Sequence, residues 1–354
     1  MKVYFLVNKL SLVNWRLSWC GMRRFTKTFL ALLAVTSLLM GGLYLSSFSS
    51  LASSGFGLVN KARKPAFPGN SMVVESSFNT EMKKRVNTLR QECNRLQANG
   101  SSFQSIEKSK LDHIIVDDRY QTLYCYVPKV ACTNLKRVFL LLTGKMNVTN
   151  PLELPAGDVH GSYDTYLRYL DSFPAAGVKY RLNNYKKIMF VREPLERLLS
   201  AYRNKFMQRG NEYFKEKFGK KIVKLYRENP SNLSLEKGHD VEFPEFVQYF
   251  VDPKTLKTRY NEHWAPFFDL CHPCHLKYNF IGKYETIDED VAGLLKILKA
   301  DRLIHFPDRG DSYKTKKTED ILTKFYEGIQ PHLVEKIIQI YAKDYNLFGY
   351  EQPM

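Results

Sequence analysis

Twice in this chain a mostly apolar run gives way within a few residues to a helix-compatible stretch, and that repeated switch constrains the fold more than any other feature. The first run is Leu123 to Val127, followed by a helical pattern over Thr133 to Leu142. The second is Lys187 to Val191, followed by a helical pattern over Leu195 to Phe206. Short strands alternating with helices build a parallel sheet with helices on its faces. A run at Ile114 to Val116 adds a strand ahead of the first unit. Further helices are expected at Glu212 to Arg227, Pro244 to Phe250, Asp288 to Leu298, Thr318 to Gly328 and Pro331 to Lys343. No internal repeat and no convincing linker occurs after residue 111, so residues 111–354 are expected to form one α/β domain.

Both strand-to-helix loops have the chemistry of an anion site, because the N–H groups and the positive dipole end of a helix converge there. The loop Pro128-Lys129-Val130-Ala131-Cys132-Thr133-Asn134 adds a full charge at Lys129 and a hydroxyl at Thr133 that can cap the helix and donate to a phosphate oxygen. In Arg192-Glu193-Pro194-Leu195-Glu196-Arg197-Leu198-Leu199-Ser200, Pro194 suits the opening of a helix. Arg192 stands at the carboxyl edge of its strand, where parallel sheets bind ligands, and its fork can engage two phosphate oxygens with Ser200 beside it. Taken singly, each loop has an ordinary alternative: a plain turn with Lys129 solvated, or a surface bridge from Arg192 to Glu196. No Gly-x-x-x-x-Gly-Lys-Ser/Thr segment occurs, so ordinary P-loop ATP hydrolysis is not supported.

Together the two loops resemble those of the HNK-1 family of carbohydrate sulfotransferases, most closely its chondroitin 4-O-sulfotransferase branch, over roughly residues 111–351. The resemblance implies a P-loop-like sulfotransferase fold with a central parallel sheet flanked by helices. It implies 3′-phosphoadenosine 5′-phosphosulfate as sulfate donor, with no metal. Pro128 to Asn134 would hold the 5′-phosphosulfate, with Lys129 on the sulfonate and bridging oxygen and Thr133 on the 5′-phosphate; Arg192 to Ser200 would hold the 3′-phosphate through Arg192 and Ser200. The implied reaction is sulfation of the 4-position of N-acetylgalactosamine in chondroitin or dermatan. Terminal N-acetylgalactosamine on N-glycans or glucuronic acid are alternative acceptors. Two positions depart from the pattern: Leu135 stands where relatives usually carry Trp, and Leu195 where they usually carry Phe.

An acceptor hydroxyl must lose its proton as it attacks sulfur, so a histidine or carboxylate is expected within reach of it. His160, between the two loops, is the expected base, alongside Lys129 as the catalytic cation. His263 competes for the role, and its neighbour Trp264 is expected to offer a face to a sugar ring. The segment Cys271-His272-Pro273-Cys274-His275 suggests a redox pair or a zinc site, but lacks a second ligand pair for zinc, and a structural disulfide is the expectation. Asp288-Glu289-Asp290 is the acidic triplet a metal-dependent glycosyltransferase would use; it fits a helix N-terminus better. A non-catalytic glycan-binding protein is the remaining alternative.

Near the N-terminus, Thr28 to Phe48 carries no charge and is long enough to span a bilayer. Lys2, Lys9, Arg16, Arg23, Arg24 and Lys27 precede it, whereas the next basic residue is Lys61, so the positive-inside bias puts the bulk of the chain in a lumen. A cleaved signal peptide or a buried core helix is the alternative. The expected organisation is a cytosolic tail (1–27), a transmembrane signal anchor (28–48), a stem (49–110) and a lumenal domain (111–354). Within the stem, Asn79 to Leu96 has helical composition with a thin apolar stripe, suited to an exposed or self-associating helix. Asn99, Asn147 and Asn232 open glycosylation sequons in such a compartment. The expected setting is therefore the Golgi membrane, with a glycosaminoglycan or glycoprotein glycan as acceptor, a homodimer allowed and nucleic acid not expected. The net charge of +17 suits a polyanionic partner without choosing one.

Overall fold

The computed structural model describes residues 71–100, 106–256, 260–312 and 316–353. The expected cytosolic tail and membrane span lie outside these residues, and no helix among the described residues is long and apolar enough to cross a membrane. The chain runs through α1 (Ser71–Ala98), β1 (Ile114–Asp117), β2 (Thr122–Cys125), α2 (Cys132–Leu142), β3 (Arg168–Tyr169), α3 (Ala175–Asn184) and β4 (Lys186–Val191). It continues through α4 (Pro194–Tyr202), α5 (Phe243–Val251), β5 (Phe280–Lys283), α6 (Ile287–Ile297), α7 (Pro331–Ile340) and α8 (Ala342–Phe348), with shorter helical pieces between.

The five strands form one sheet in the order β3-β1-β2-β4-β5. Only β2, β4 and β5 are parallel; β1 pairs antiparallel with both β2 and β3. The sheet is thus mixed rather than wholly parallel, because the short turn after Asp117 allows β1 only a hairpin return onto β2. The parallel half behaves as expected: β4 is buried at Lys187 and at every position from Ile188 to Val191, as a strand covered on both faces must be. β5 went unnoticed in the sequence because Phe280-Ile281-Gly282-Lys283 is brief and contains a glycine. That glycine is required by close approach, since a Cβ at Gly282 would run into the Phe190 ring.

The segment expected to be a free stem contains α1, which packs against β5 and α8. Met82, Val86 and Leu89 are buried in the main core, and Phe78 lies over Gly293 of α6. β5 is the sheet's edge, and α1 satisfies its outward backbone groups: Ile281 N–H donates to Met82 Sδ (3.2 Å), and its carbonyl accepts from Arg85 Nη1 (3.1 Å). The same arginine pairs with buried Asp290 at 2.7 Å. An edge covered in this way cannot recruit a foreign strand. The stripe looked thin because its central member, with its side chain covered, is an arginine, which hydrophobic periodicity does not count. The folded unit therefore begins before the expected boundary at 111.

Cys271 and Cys274 do not pair with each other. Cys271 bonds Cys125 at the end of β2, and Cys274 bonds Cys93 of α1, leaving Cys132 as a buried free thiol. Their sulfurs are consumed, so neither a zinc site nor a redox pair exists there. Asp288, Glu289 and Asp290 open α6 as expected, with Asp290 accepting from Lys283 N–H and Thr286 Oγ1. Asn99, Asn147 and Asn232 are all exposed.

The docking of α1 has two measurable consequences. Arg85→Met leaves the Asp290 carboxylate buried without its cation and should lower unfolding free energy by about 3 kcal/mol in a denaturant titration. A fragment starting at Leu111 should give a broadened or absent thermal transition, whereas one starting at Gly69 should melt cooperatively.

Candidate active site

Parallel pairing brings the carboxyl ends of β2, β4 and β5 to one edge, so three segments meet there: the loop after β2, the loop after β4, and Tyr284 to Thr286 after β5. In the first loop Lys129 and Ala131 lie in the left-handed region (φ +74° and +50°), which disfavours side chains by about 1 kcal/mol or more per residue. Val130 between them is fully buried and anchors the turn. Ala131 is the N-cap of α2 and has no side chain to cap it. Thr133, expected to cap, sits inside the first turn, and its Oγ1 lies 3.0 Å from His160 Nε2.

The second loop does what the first needs. Arg192 is buried, with Nε and Nη2 on Glu196 Oε2 (3.2 and 3.1 Å), Nη1 on the Lys129 carbonyl (3.2 Å), and its guanidinium 4.0 Å from the Tyr284 ring centroid. The expected alternative of an Arg192–Glu196 bridge is thus present, but inside the site rather than on the surface. Arg197, only 1% exposed, donates to the carbonyls of Pro128, Glu262 and Ala265 and so ties the first loop to the segment carrying His263. Glu193 caps α4 by accepting from Glu196 N–H and also accepts from Tyr345 Oη. Leu195, Leu198 and Leu199 point into a second cluster of buried apolar side chains, which includes Phe246, Phe250 and Trp264. Among Arg192 to Ser200, the cavity-facing residues are therefore Arg192, Glu196 and Ser200.

A cavity of about 270 Å³ is lined by Lys129, Thr133, Arg192, Ser200, Arg203 and Arg309, among others. A hollow of about 280 Å³ shares Arg192, Tyr284 and Arg309 and adds Phe306 and Pro307. On the other side of Lys129 and Thr133 opens a larger cavity of about 910 Å³, which holds His160, His263, Lys205, Lys136, Asp164 and Glu262. Its wall is built by Lys136, whose buried ammonium meets Asp164 Oδ1 (2.8 Å), Tyr169 Oη (3.0 Å) and the Tyr126 ring. Trp264 is not on this wall. It is 1% exposed, packed among Phe206, Phe218 and Phe246, and cannot present a face to a sugar.

The charges are mutually perturbing. Burial, then the nearby positive charges of Lys205 and Arg192, pull the Lys129 ammonium down to about 7. Burial, then Lys136, holds His160 at about 4, so its imidazole is neutral at neutral pH. Burial and Lys205 push His263 to about 2, and its Nδ1 is engaged with Asn261 Oδ1 at 2.8 Å. Burial lifts the Cys132 thiol to about 11, so it stays protonated and is no nucleophile. Sequence reasoning missed Tyr284 because β5 was missed. It also gave no role to Arg203, Arg309 or Glu262, since cations and carboxylates brought in from distant segments leave no local spacing signal.

Two neighbouring strand-to-helix loops with converging cations, no glycine-rich nucleotide loop, and an open second cavity beside them define a group-transfer site for an anionic donor. A model of the sulfotransferase family matches residues 112–351, and the chain belongs to that family. It is 41% identical over 244 residues to carbohydrate sulfotransferase 11 of Rattus norvegicus, covering 69% of this chain and 68% of that one. It is 38% identical over 268 residues to carbohydrate sulfotransferase 12 of Mus musculus (71% and 63%), and 35% identical over 279 residues to carbohydrate sulfotransferase 8 of Homo sapiens (78% and 65%). No solved structure matches the chain. Family membership makes this protein an enzyme that uses a sulfate donor.

The depressed Lys129 value has a sign that can be checked. Its ammonium must be charged to hold an anion, and it loses that charge as pH rises through about 7. Calorimetry with adenosine 3′,5′-bisphosphate should show affinity falling above pH 7, by up to about tenfold per pH unit, with proton uptake on binding. Lys129→Met should flatten that slope.

Proposed function

We propose that this protein transfers the sulfonate of 3′-phosphoadenosine 5′-phosphosulfate to the 4-hydroxyl of N-acetylgalactosamine in a chondroitin or dermatan chain. The observation that carries this reading is the convergence of Lys129 and Thr133 with Arg192 and Ser200 on one cavity, from the ends of two adjacent parallel strands. That donor set fits the nucleotide: it offers cations and hydroxyls to two separate phosphates, and the aromatic and proline surfaces of Tyr284, Phe306 and Pro307 lie alongside for the base.

When bound, the donor supplies a sulfonate whose S–O bond to the 5′-phosphate breaks, its electron pair leaving on the phosphate oxygen, as the acceptor oxygen bonds to sulfur. Lys129 and Thr133 hold the 5′ side, and Arg192 and Ser200 the 3′-phosphate. Fixed positive charge at the departing phosphate contributes about 3 kcal/mol per well-placed donor. The acceptor enters the 910 Å³ cavity, where neutral His160 takes the hydroxyl proton. Glu193, Pro194 and Arg197 shape the second loop, and Glu196 holds Arg192 in place at the wall of the hollow. The likeness to several carbohydrate sulfotransferases supports a glycan acceptor, and the resemblance of the two loops to the chondroitin 4-O-sulfotransferase branch supports N-acetylgalactosamine.

The same reading puts the enzyme in the Golgi membrane as a single-pass type II protein. The uncharged Thr28 to Phe48 segment and the exposed sequon asparagines support it, as do two disulfides, which persist in oxidising compartments. Glycosylation at Asn99, Asn147 and Asn232 and a homodimer belong to this proposal.

The deciding experiment is transfer of labelled sulfate from the nucleotide to desulfated chondroitin by residues 69–354. Label should appear at the galactosamine 4-position. Ser200→Ala should raise the donor KM about tenfold, and Arg192→Ala should abolish measurable transfer while a thermal melt confirms folding. His160→Ala should lower kcat by about 10²-fold or more with donor affinity intact; near-normal turnover would remove it as base. A folded protein that binds no nucleotide and transfers nothing would sink the whole reading.

A further inference from the structure

Lys205 is a cation with an unusual setting. Its side chain is half-buried, its ammonium lies 4.4 Å from the Phe214 ring centroid, and among the described residues it makes no hydrogen bond or ion pair. It lines the large cavity together with Lys129, Thr133, His160 and His263. Placing a cation there without a carboxylate in direct contact costs stability, because burial disfavours the ammonium. Such a cost is retained where an anion arrives to relieve it.

The backbone explains how Lys205 comes to face this cavity. Helix α4 begins at the Arg192 loop and carries Ser200 on its crevice side. On an uninterrupted α-helix Lys205, five residues on, would point about 140° away from Ser200. After Tyr202 the helix widens into a π-helical turn over Arg203–Met207. The wider turn advances each residue by less than the roughly 100° of an α-helix, so Lys205, midway through it, is turned back part of the way toward the crevice side. Single π turns of this kind occur frequently at functional sites. Here the turn gives Arg203 to the donor-side cavity, Lys205 to the acceptor-side cavity and Asn204 to both.

The surrounding charges narrow the range of groups that Lys205 can meet. Of all the charged groups near Lys129, Lys205 acts on it most strongly, and it does the same to His263. The one carboxylate that acts on Lys205 is Glu262, which lies 3.6 Å from His113 Nε2 and 3.8 Å from His263 Nδ1. Asp164 is held by Lys136 and Tyr169. Two ammonium groups that act on each other therefore line the acceptor-side cavity, Lys129 lining the donor-side cavity as well, with no carboxylate bridging them. A carboxylate on a neighbouring sugar would sit a full ring away from Lys129, whereas the group in transit between donor and acceptor passes from one cavity to the other.

We propose that Lys205 is a second catalytic cation that contacts the sulfonate oxygens from the acceptor side, opposite Lys129. This rests on the function proposed above. As the S–O bond to the 5′-phosphate breaks and the one to the acceptor forms, negative charge on the sulfonate oxygens lies between two fixed ammonium groups, and the acceptor proton goes to His160.

The test compares two nucleotides that differ only in the sulfonate. Wild type and Lys205→Met are titrated calorimetrically with adenosine 3′,5′-bisphosphate and with 3′-phosphoadenosine 5′-phosphosulfate, and kcat and acceptor KM are measured on desulfated chondroitin. The expected result is bisphosphate affinity unchanged within about twofold, weaker binding of the sulfonated nucleotide, and kcat lowered about 10²-fold with acceptor KM unmoved. Lys205→Arg, which keeps the charge, should recover part of the rate and guards against a folding defect. Equal loss on both nucleotides would assign Lys205 to the phosphates, and a raised acceptor KM with unchanged nucleotide binding would assign it to an anion of the glycan; either overturns the proposal. Nucleotide binding by wild type without transfer to chondroitin would refute the acceptor reading while the two-nucleotide comparison still decides Lys205.

Discussion

Register in the parallel half of the sheet is the constraint on which everything else hangs. Tyr124 pairs with Ile188, and Ile188 with Phe280, so β4 and β5 end level at Val191 and Lys283 and β2 ends two residues earlier, at Cys125 against Met189. Loops that leave adjacent parallel strands at the same edge converge, and they carry Lys129, Arg192 and Tyr284 respectively. A slip of one residue in β4 would turn Ile188 and Phe190 toward the opposite face and break the packing of Phe190 against Gly282 and Tyr124. The core therefore enforces the geometry of the site.

At that edge the dominant physics is like charge held close. Lys129, Lys205, Arg192 and Arg203 face cavities around one loop, and the buried carboxylate Glu196 offsets only Arg192. Burial first, and this like charge second, lowers the Lys129 ammonium and keeps His160 and His263 neutral. Such a site is costly when empty and relieved by a polyanionic ligand, which is how preorganised electrostatic catalysis is built. Arg197, fully buried and spending its donors on three backbone carbonyls, fixes the relative placement of the two sides without entering either cavity.

The far edge of the sheet has the opposite problem, unsatisfied backbone groups rather than unsatisfied charge. Met82 and Arg85 of α1 take the outward N–H and C=O of Ile281, and the Cys93–Cys274 bond fastens the same helix across a separation of 181 residues. A segment that looked like a tether is thereby a structural element of the domain. Closing so long a loop restricts the unfolded chain strongly, by roughly 5 kcal/mol in the chain-entropy account.

Local chemistry was legible wherever it depended on neighbours in sequence. The two strand-to-helix switches, the placement of Lys129, Thr133, Arg192 and Ser200 at their loops, and the acidic opening of α6 all arise from patterns a few residues long. The family resemblance rested on the two loops together, since each alone has an ordinary alternative. Interactions between distant segments left no such trace. Trp264 looked like a sugar platform because an aromatic beside a histidine has no burial signal of its own, and only packing against Phe206, Phe218 and Phe246 decided that it is core. The helix α1 looked solvent-facing because the residue that docks it to the sheet edge is charged, and Cys271 and Cys274 looked like a pair because their partners lie 146 and 181 residues away. The sequence by itself determined which groups could hold an anion, through short-range helix and strand propensities. The tertiary structure alone decided which of them share a cavity, because that depends on strand register and on a π turn, and neither is written in the spacing of residues.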